Sequence, residues 1–308
     1  MQQFFNSKSV LNQSVQIEIA QAKEISLVIK REDVLHPEVS GNKFRKLKYN
    51  LIAAKEQRAD TLLTFGGAFS NHIAATAAAG KEFGFNTIGI IRGDELTDKV
   101  AENPTLSFAQ QCGMQFKFIS RQQYRKKMNP DFLAQLKNEF GNFYMLPEGG
   151  TNDLAIKGCE EILTEEDENF DCICVAVGTG GTIAGLINSA KKHQKVLGFP
   201  ALKGDFLRNE ISLLASNKNW QLMTNYHFGG YGKINDKLIT FINQFKEETN
   251  ILLDPIYTGK MLFGILDLIN KGYFKRGNKI LAVHTGGLQG ILGINKKLQQ
   301  KGLPIIIE

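Results

Sequence analysis

Lys43 is the first residue of this chain whose position indicates chemistry. It follows a glycine and an asparagine in the stretch "SGNKFRKL", where a helix begins. The partial positive charge of a helix start and the nearby cations Arg45 and Lys46 disfavour an ammonium group at this position. Both effects lower a lysine pKa, which favours a nucleophilic amine able to form a Schiff base. The alternative is a lysine that only solvates a helix face.

A glycine-rich turn in "VAVGTGGTIAGL" offers a site for an anion. Its residues are Gly178, Thr179, Gly180, Gly181 and Thr182. Backbone N–H groups, threonine hydroxyls and a helix start together favour a phosphate. No Lys-Ser/Thr pair follows, so the turn is not a Walker A loop, and Ile183 replaces the third glycine of a dinucleotide fingerprint. The alternative is a tight turn that binds no ligand.

A second turn, in "GGAFSNHIAATAAAG", places Ser70, Asn71 and His72 at the start of an alanine-rich helix. Ser or Asn at such a position is by default a helix cap, and that alternative stays open here. The small side chains in the first turns of the helix leave room for a flat ligand. The turn is therefore a candidate for holding a planar ring.

Further candidates lie in three glycine-rich segments: Tyr257 and Thr258 in "DPIYTGK", Tyr231 in "GGYG", and Thr285 in "HTGG". An isolated tyrosine of this kind is otherwise a core or edge aromatic. No cysteine or histidine spacing is typical of a metal site. A phosphate cradle, a nucleophilic lysine and small capped turns are together what pyridoxal 5'-phosphate needs, so this cofactor is predicted.

The elements that must position these residues repeat along the chain as an aliphatic run, a glycine-rich turn and a helical pattern. Alternation of this kind predicts an α/β fold with two open, mostly parallel sheets covered by helices. Ligands of such sheets bind beyond the carboxyl ends of the strands, where the candidate turns lie. We expect a small inserted α/β domain, residues 47–147, within a large cofactor-binding domain of residues 1–46 and 148–308.

Composition narrows the function classes. Of 308 residues, 43% are apolar and 22% charged, as in ordinary globular proteins, and the net charge of +6 is spread along the chain. We therefore expect no nucleic-acid partner, because binding needs clustered basic residues. No apolar run is long enough for a membrane span, and no signal peptide is visible, so a cytoplasmic location is predicted. Cys172 and Cys174 are expected on one face of a buried strand.

The motifs "SGNKFRKL", "GGAFSNH", "VGTGGT", "GGYG", "DPIYTGK" and "HTGG" follow in this order over nearly the whole chain. This order resembles the pyridoxal-phosphate enzymes of the 1-aminocyclopropane-1-carboxylate deaminase and D-cysteine desulfhydrase family. The resemblance implies the tryptophan-synthase-β-like fold (PLP fold type II), a small amino-acid substrate and a homodimer.

The resemblance also implies roles for individual residues. Lys43 would carry the cofactor and act as base at the substrate α-carbon, and Asn71 would hold the ring hydroxyl. The phosphate would lie on the turn from Gly178 to Thr182. Tyr257 would lie against or near the ring. The remaining candidates extend these sets: Ser70 and Tyr231 as catalytic, Thr285 as cofactor-binding, and Ser70, Asn71, His72 and Thr258 as substrate-binding residues.

One departure from the deaminase pattern bears on the reaction. Where the deaminases have Glu and Leu in the "DPIYTGK" and "HTGG" segments, this chain has Thr258 and Thr285. A carboxylate keeps the ring nitrogen protonated, which ring opening demands, whereas a threonine suffices for eliminating a good β-leaving group. The first hypothesis is therefore α,β-elimination from D-cysteine or related D-amino acids. The alternatives are 1-aminocyclopropane-1-carboxylate deamination, another lyase or racemase on this fold, and a non-catalytic anion-binding protein.

Overall fold

The computed structural model describes residues 4–5 and 10–308 of the chain, in which two sheets are each covered by helices. The larger sheet has six strands in the order β1-β2-β10-β7-β8-β9. These strands are β1 (Asn12–Val15), β2 (Ser26–Lys30), β7 (Cys172–Val177), β8 (Lys195–Pro200), β9 (Trp220–Leu222) and β10 (Lys279–Val283). Apart from the antiparallel pair β1–β2, its strands pair in parallel.

The smaller sheet has four parallel strands in the order β5-β4-β3-β6. They are β3 (Thr61–Gly66), β4 (Asn86–Arg92), β5 (Met114–Ile119) and β6 (Tyr144–Leu146). All four come from the segment predicted to form the inserted domain. The exact domain boundaries stay a prediction, and the one after residue 46 falls inside a continuous helix.

Helices connect successive strands in both sheets. Those before β7 are α1 (Glu18–Ala22), α2 (Asn42–Glu56), α3 (Asn71–Phe83), α4 (Pro104–Gln111), α5 (Arg121–Arg125), α6 (Pro130–Phe140) and α7 (Asp153–Glu160). Those after β7 are α8 (Gly181–Ser189), α9 (Phe206–Leu214), α10 (Asp236–Thr249), α11 (Thr258–Asn270) and α12 (Ile291–Gln300). The predicted α/β fold with two mostly parallel sheets is confirmed. None of the described helices is long and apolar enough to cross a bilayer.

The central strands of the larger sheet are buried on both faces, as their uninterrupted apolar runs predict. Cys172 and Cys174 lie in the core on one face, together with residues of α10 and α11. The alternate residues of β7, such as Ile173 and Val175, pack into the core on the other face, next to α8. The four cysteines are free and buried.

Strand order brings two of the predicted turns together. β10 pairs in parallel with β7, with Val283 opposite Val175. Parallel neighbours end at the same edge of a sheet, so the turn after β7 and the turn after β10 lie side by side. The first carries Gly178 and the second carries Thr285. The start of α2 lies against this same edge, because the amide of Asn42 donates to the Thr285 carbonyl at 3.2 Å.

Candidate active site

The start of α2 is held against the β10 turn by a glycine. Gly41 has a φ of +60°, and a Cβ at this position would lie 2.0 Å from the carbonyl oxygen of Thr285. Neither the backbone angle nor the contact admits a side chain. The approach fixes the position of Lys43, two residues further on, beside the carboxyl ends of the central strands.

Lys43 is partly buried, and its Nζ lies 3.2 Å from Asn42 Oδ1. Burial, and to a lesser extent the charge of Lys46, lowers its pKa from 10.5 to about 7. The predicted direction of the pKa shift is thus confirmed, with burial as the larger cause. A large fraction of this amine is unprotonated near neutral pH, as a nucleophilic lysine requires.

The other cations of this helix are not on the surface. Arg45, Lys46 and Lys48 are each less than 10% exposed. Arg45 donates two hydrogen bonds of 2.9 Å to Glu32, and Lys48 donates to both carboxylate oxygens of Glu161. Of the three, Lys46 is the cation whose charge lowers the pKa of Lys43.

Lys46 is a site residue that the sequence interpretation missed. Its Nζ donates to Gly149 O and Thr151 Oγ1 at 2.9 Å each, and lies 3.4 Å from Thr179 Oγ1. Burial lowers its pKa. Its spacing of three residues from Lys43 indicates a shared helix face, and this was the available signal. Lys46 brings a positive charge to the glycine-rich turn.

Two glycines of the turn after β7 are packed too closely to carry a side chain without displacement of their neighbours. A Cβ on Gly178 would lie 3.2 Å from the ring of Tyr257. A Cβ on Gly181 would lie 2.8 Å from Thr151 Oγ1 and 3.2 Å from Lys46 Nζ. α8 begins at Gly181, and N–H groups in the first turn of a helix lack acceptors within it. The result is a cradle of N–H, hydroxyl and ammonium donors.

The turn after β3 forms a helix N-cap, as the default interpretation of its Ser and Asn residues predicts. Ser70 is the N-cap residue of α3, and its Oγ accepts a hydrogen bond of 3.3 Å from the Ile73 amide. Asn71 lines the same cavity as Lys43, and its Oδ1 accepts a hydrogen bond from Gln289 Nε2. The structure therefore gives Ser70 a local partner and directs Asn71 toward the candidate site.

His72 is buried, with 1% of its surface exposed. Neither ring nitrogen forms a hydrogen bond of good geometry with a described residue. Burial and then the charges of Lys43 and Lys46 hold the pKa of His72 well below its ordinary value, against a smaller opposing effect from the backbone of Pro147. The imidazole is therefore neutral.

Two tyrosines meet beside the glycine turn. The ring centres of Tyr257 and Tyr231 are 6.2 Å apart, with an angle of 63° between the ring planes. Burial, followed by the neighbouring Tyr231, holds the pKa of Tyr257 well above its ordinary value. Tyr231 is 48% exposed, and partial desolvation of its phenol raises its pKa. Both phenols therefore keep their protons at neutral pH and can act as donors.

Thr258, next to Tyr257, is fully buried and hydrogen-bonded internally. Its hydroxyl donates to Asp254 Oδ1 at 2.7 Å and accepts from the Asp254 amide at 3.0 Å. The predicted contact of Thr258 with substrate is not tested by this geometry and stays a prediction. What the hydroxyl does in the structure is to fix the start of α11.

Most predicted site residues come together around one cavity, here called the Lys43 cavity. It is lined by Lys43, Asn71, Gly178, Thr179, Gly180, Thr182, Tyr257 and Thr285 from the predicted set, and by Asn42, Lys46 and Gly149 beyond it. Ser70, His72, Gly181 and Thr258 are not among its lining residues, and Tyr231 lines the adjoining cavity. Within the described part of the chain, no carboxylate lines the Lys43 cavity.

These residues fit pyridoxal phosphate. The cradle built from Gly181, Thr179, Thr151 and Lys46 matches the charge and the acceptor oxygens of a phosphate. The amine of Lys43, with its lowered pKa, is the group to which an aldehyde would be attached. Lys43, Lys46 and Thr179 line the same cavity, and Thr151 is hydrogen-bonded to Lys46 and Thr179 behind it.

Comparison with known proteins supports this interpretation. A family model described as "Pyridoxal-phosphate dependent enzyme" matches residues 16–286. The chain belongs to this family of pyridoxal-phosphate-dependent enzymes, and the predicted cofactor is confirmed.

Individual relatives narrow the class. A "Putative 1-aminocyclopropane-1-carboxylate deaminase" of Pyrococcus horikoshii is 31% identical in an alignment that covers 88% of this chain and 87% of that protein. The "Bifunctional D-cysteine desulfhydrase/1-aminocyclopropane-1-carboxylate deaminase, mitochondrial" of Arabidopsis thaliana is 33% identical, over 86% of this chain and 73% of that protein. Within its family, the chain is a lyase of the group formed by these deaminases and desulfhydrases.

A solved structure described as "Crystal Structure Analysis of the ACC deaminase homologue" superimposes with a TM-score of 0.82. It is 28% identical and covers 95% of this chain and 94% of its own. The agreement extends over both sheets, so the two-sheet architecture is shared with that protein.

Proposed function

We propose that this chain catalyses α,β-elimination from D-amino acids, with D-cysteine as the first substrate to test and pyruvate, ammonia and sulfide as products. One observation supports elimination over ring opening. Thr285 lines the Lys43 cavity, and no carboxylate lines it within the described residues. A hydroxyl holds a proton on the cofactor ring nitrogen less firmly than a carboxylate does, which suits a reaction that stores less negative charge on carbon.

Pyridoxal phosphate, when bound, supplies an electron sink that makes the α-proton of an amino acid removable. The chain's own contribution begins with Lys43 Nζ, which accepts that proton. Its pKa of about 7 lets the amine both take up and release a proton near neutral pH.

Departure of the β-substituent follows removal of the α-proton, and hydrolysis by water then releases pyruvate and ammonium. The bond between Cβ and sulfur breaks, and its electron pair leaves with the sulfur. The protonated phenols of Tyr257 and Tyr231 are the donors proposed to meet this developing charge. One water molecule is consumed, so D-cysteine and water give pyruvate, ammonium and hydrogen sulfide.

The remaining sequence-based assignments fit this scheme as proposals. Asn71 would hold the ring hydroxyl, since it lines the cavity beside Lys43. Ser70 would contact the substrate carboxylate, and for this its hydroxyl must offer its proton while it accepts from Ile73. His72, being neutral, would support the site beneath Lys43 and Lys46 without adding charge.

A second candidate function is deamination of 1-aminocyclopropane-1-carboxylate, because the Pyrococcus relative and half of the Arabidopsis relative's name carry that activity. Elimination from D-cysteine yields a three-carbon oxo acid. Ring opening yields the four-carbon 2-oxobutanoate, so the product separates the two reactions.

The test is an absorbance spectrum of the purified protein with pyridoxal phosphate, combined with product assays on D-cysteine, L-cysteine, β-chloro-D-alanine and 1-aminocyclopropane-1-carboxylate. We expect a cofactor band that Lys43→Ala abolishes, and pyruvate from the D-isomers that falls roughly 10³-fold in this variant. No pyruvate from D-cysteine or β-chloro-D-alanine would overturn the proposal, and 2-oxobutanoate would favour the second candidate.

Substitutions of Thr285 test more directly whether its hydroxyl contributes to the reaction. Thr285→Val removes the hydroxyl at nearly constant volume, and Thr285→Ser keeps it. We expect kcat for β-chloro-D-alanine to fall about tenfold in the valine variant and less than about threefold in the serine variant. Equal loss in both would assign Thr285 a packing role only.

The predicted homodimer and the absence of nucleic-acid and membrane partners stay predictions. Sedimentation of the holoenzyme at several concentrations measures the oligomeric state directly. A monomer at every concentration would contradict the expected dimer.

A further inference from the structure

A second cavity adjoins the Lys43 cavity and shares Asn71 and Tyr257 with it. Its volume is about 350 Å³. Three of the residues that line it are lysines, namely Lys233, Lys297 and Lys301, and we call it the lysine pocket. The two shared residues place this pocket directly beside the cavity that holds Lys43.

The lysines of the pocket have no counter-ion among the residues that the structure describes. Across the described residues, none of their amino groups takes part in an ion pair or a side-chain hydrogen bond, whereas Lys297 Nζ lies 3.9 Å from the ring centre of Phe69. A cation over an aromatic face is weakly stabilised and remains available to an anion. Burial, and next the charge of Lys301, lowers the pKa of Lys297.

One carboxylate, Asp254, also lines the pocket, but it does not neutralise the lysines. It is 2% exposed. Its Oδ2 accepts hydrogen bonds from the amides of Ile256 and Tyr257, and its Oδ1 accepts from the amide and hydroxyl of Thr258. Both oxygens are therefore engaged by the start of α11, and the lysines are left as the accessible charge.

The walls between these lysines are apolar. They are formed by side chains that include Ile234, Ile256, Ile294, Leu298 and Leu303. Aliphatic walls with a few cations match a ligand that has an apolar body and an anionic end. D-Cysteine has neither beyond its own α-carboxylate, and its thiol is small relative to a cavity of about 350 Å³.

Resting on the proposed elimination, we propose that the lysine pocket receives the leaving group of the substrate, and that the preferred substrates are S-substituted D-cysteines whose thiol carries an aliphatic chain ending in a carboxylate. Lys297 and Lys301 bind this distal carboxylate, and the apolar walls contact the chain. Lys233, on the loop that carries Tyr231, adds a third positive charge to the lining of the pocket.

The reaction balances in the same way as for D-cysteine. The Cβ–S bond breaks, the electron pair stays on sulfur, and the thiolate RS⁻ takes up a proton to become RSH. The α-proton passes to Lys43 Nζ. The thioether and one water molecule give the thiol RSH, pyruvate and ammonium, with no oxidant or reductant required.

The experiment uses the holoenzyme and a series of S-carboxyalkyl-D-cysteines of increasing chain length, each paired with the carboxamide of the same length. At the best length we expect kcat/KM for the acid to exceed that for the amide about tenfold, which is about 1.4 kcal/mol. Lys297→Met and Lys301→Met should each reduce this ratio toward one. Lys296→Met, which changes an exposed lysine of α12 outside the pocket lining, is the matched control and should keep the ratio.

Binding without reaction is measured in parallel. In carba analogues a methylene replaces the sulfur, so no group can leave, and their affinity is read from the change in cofactor absorbance. We expect the dicarboxylic analogue to bind about tenfold tighter than its ω-amide in the wild type and not in Lys297→Met.

The outcomes separate the two proposals. Turnover of β-chloro-D-alanine with equal kcat/KM for acid and amide overturns the pocket assignment and leaves the elimination proposal standing. An acid preference that survives both lysine substitutions also overturns it, because the lysines are then only a solvated face. If no D-amino acid is eliminated, the elimination proposal fails, and the affinities of the carba analogues alone decide on the pocket.

Discussion

The Lys43 cavity and the lysine pocket adjoin each other, yet their cations are held in opposite ways. In the first, Lys46 donates to a carbonyl and two hydroxyls that the fold itself supplies. In the second, Lys297 has the ring of Phe69 beneath it and no hydrogen-bond acceptor among the described residues. One site is built before any ligand arrives, and the other depends on a ligand for its counter-charge.

The difference follows from how the two sites are assembled. The Lys43 cavity lies where α2, the turn after β7 and the turn after β10 approach one another so closely that glycines are required. Gly41 and Gly181 are the clearest examples, since a Cβ on either would meet atoms at 2.0 Å or 2.8 Å. Preorganised donors are worth most in such a closed setting. The three cations of the lysine pocket are instead exposed side chains, on the loop before α10 and at the end of α12.

The largest effect is expected from adding a side chain at Gly41, beside the Lys43 cavity. Gly41→Ala adds a Cβ 2.0 Å from the Thr285 carbonyl at a φ of +60°, so the free energy of unfolding should fall by about 3 kcal/mol. Gly84→Ala is the control, because Gly84 has a similar φ of +70° and nothing within 4 Å. Strain alone should cost that variant about 1 kcal/mol. Urea unfolding of both variants measures the difference, and equal losses would contradict close packing at Gly41.

A smaller loss is expected from removing the cation of the cradle. Lys46→Met leaves the hydroxyls of Thr151 and Thr179 without their charged partner, so the Kd for pyridoxal phosphate should rise about 30-fold. Lys55→Met, an exposed lysine in the last turn of the same helix, is the control. Absorbance titration of the apo-protein gives both constants. An unchanged Kd in Lys46→Met would show that the donors of the glycine turn suffice.

Much of the fold could be predicted because its signals are local. The aliphatic run of β7, the glycines after it and the helical pattern of α8 are contiguous, and each has its own conformational preference. The lowered pKa of Lys43 was also predictable in direction, because the neighbouring cation Lys46 contributes to it, although its larger cause, burial, is not visible in the sequence. Parallel strand order then brought the turns of Gly178 and Thr285 together without further information.

The missed features depend on contacts between distant segments. Lys46 shares a helix face with Lys43, but its acceptors Thr151 and Thr179 are more than a hundred residues away in the chain. The hydrogen bonds of Thr258 to Asp254 are set by the backbone turn that precedes α11, which a sequence pattern does not specify.

The lysine pocket is a further example of the same limit. Lys233 lies on the loop before α10, whereas Lys297 and Lys301 lie at the end of α12, and only the fold places them around one cavity. In the sequence these residues have the scattered spacing of ordinary surface lysines. Charge without a partner becomes visible only when the surroundings of each side chain are known.

A third prediction concerns how Lys43 makes the free energy of unfolding depend on pH. The pKa of Lys43 is about 7 in the folded chain and 10.5 as a reference, so between these values the unfolded chain binds more protons and wild-type stability rises with pH. The apo form of Lys43→Met has no ammonium group to bury at this position. Below about pH 7 its free energy of unfolding should therefore exceed that of the wild-type apo-protein by about 1 to 2 kcal/mol, after allowance for partial exposure. The advantage should vanish near pH 10.5. A difference independent of pH would contradict the lowered pKa.

The smallest effect tests the contrast between the two sites directly, through ionic strength. Raising salt from about 0.05 M to 0.5 M shortens the screening length from about 14 Å to about 4 Å, which weakens exposed charges far more than buried ones. The preference for S-carboxyalkyl over carboxamide substrates should therefore fall about threefold. The contribution of Lys46, taken as the ratio of cofactor Kd values between Lys46→Met and the wild type, should change much less, because that amine is 2% exposed and already bonded to the fold. Equal salt sensitivity of the two ratios would mean that both sites hold their anions through the same screened attraction, and the distinction between a prebuilt site and a ligand-dependent one would be lost.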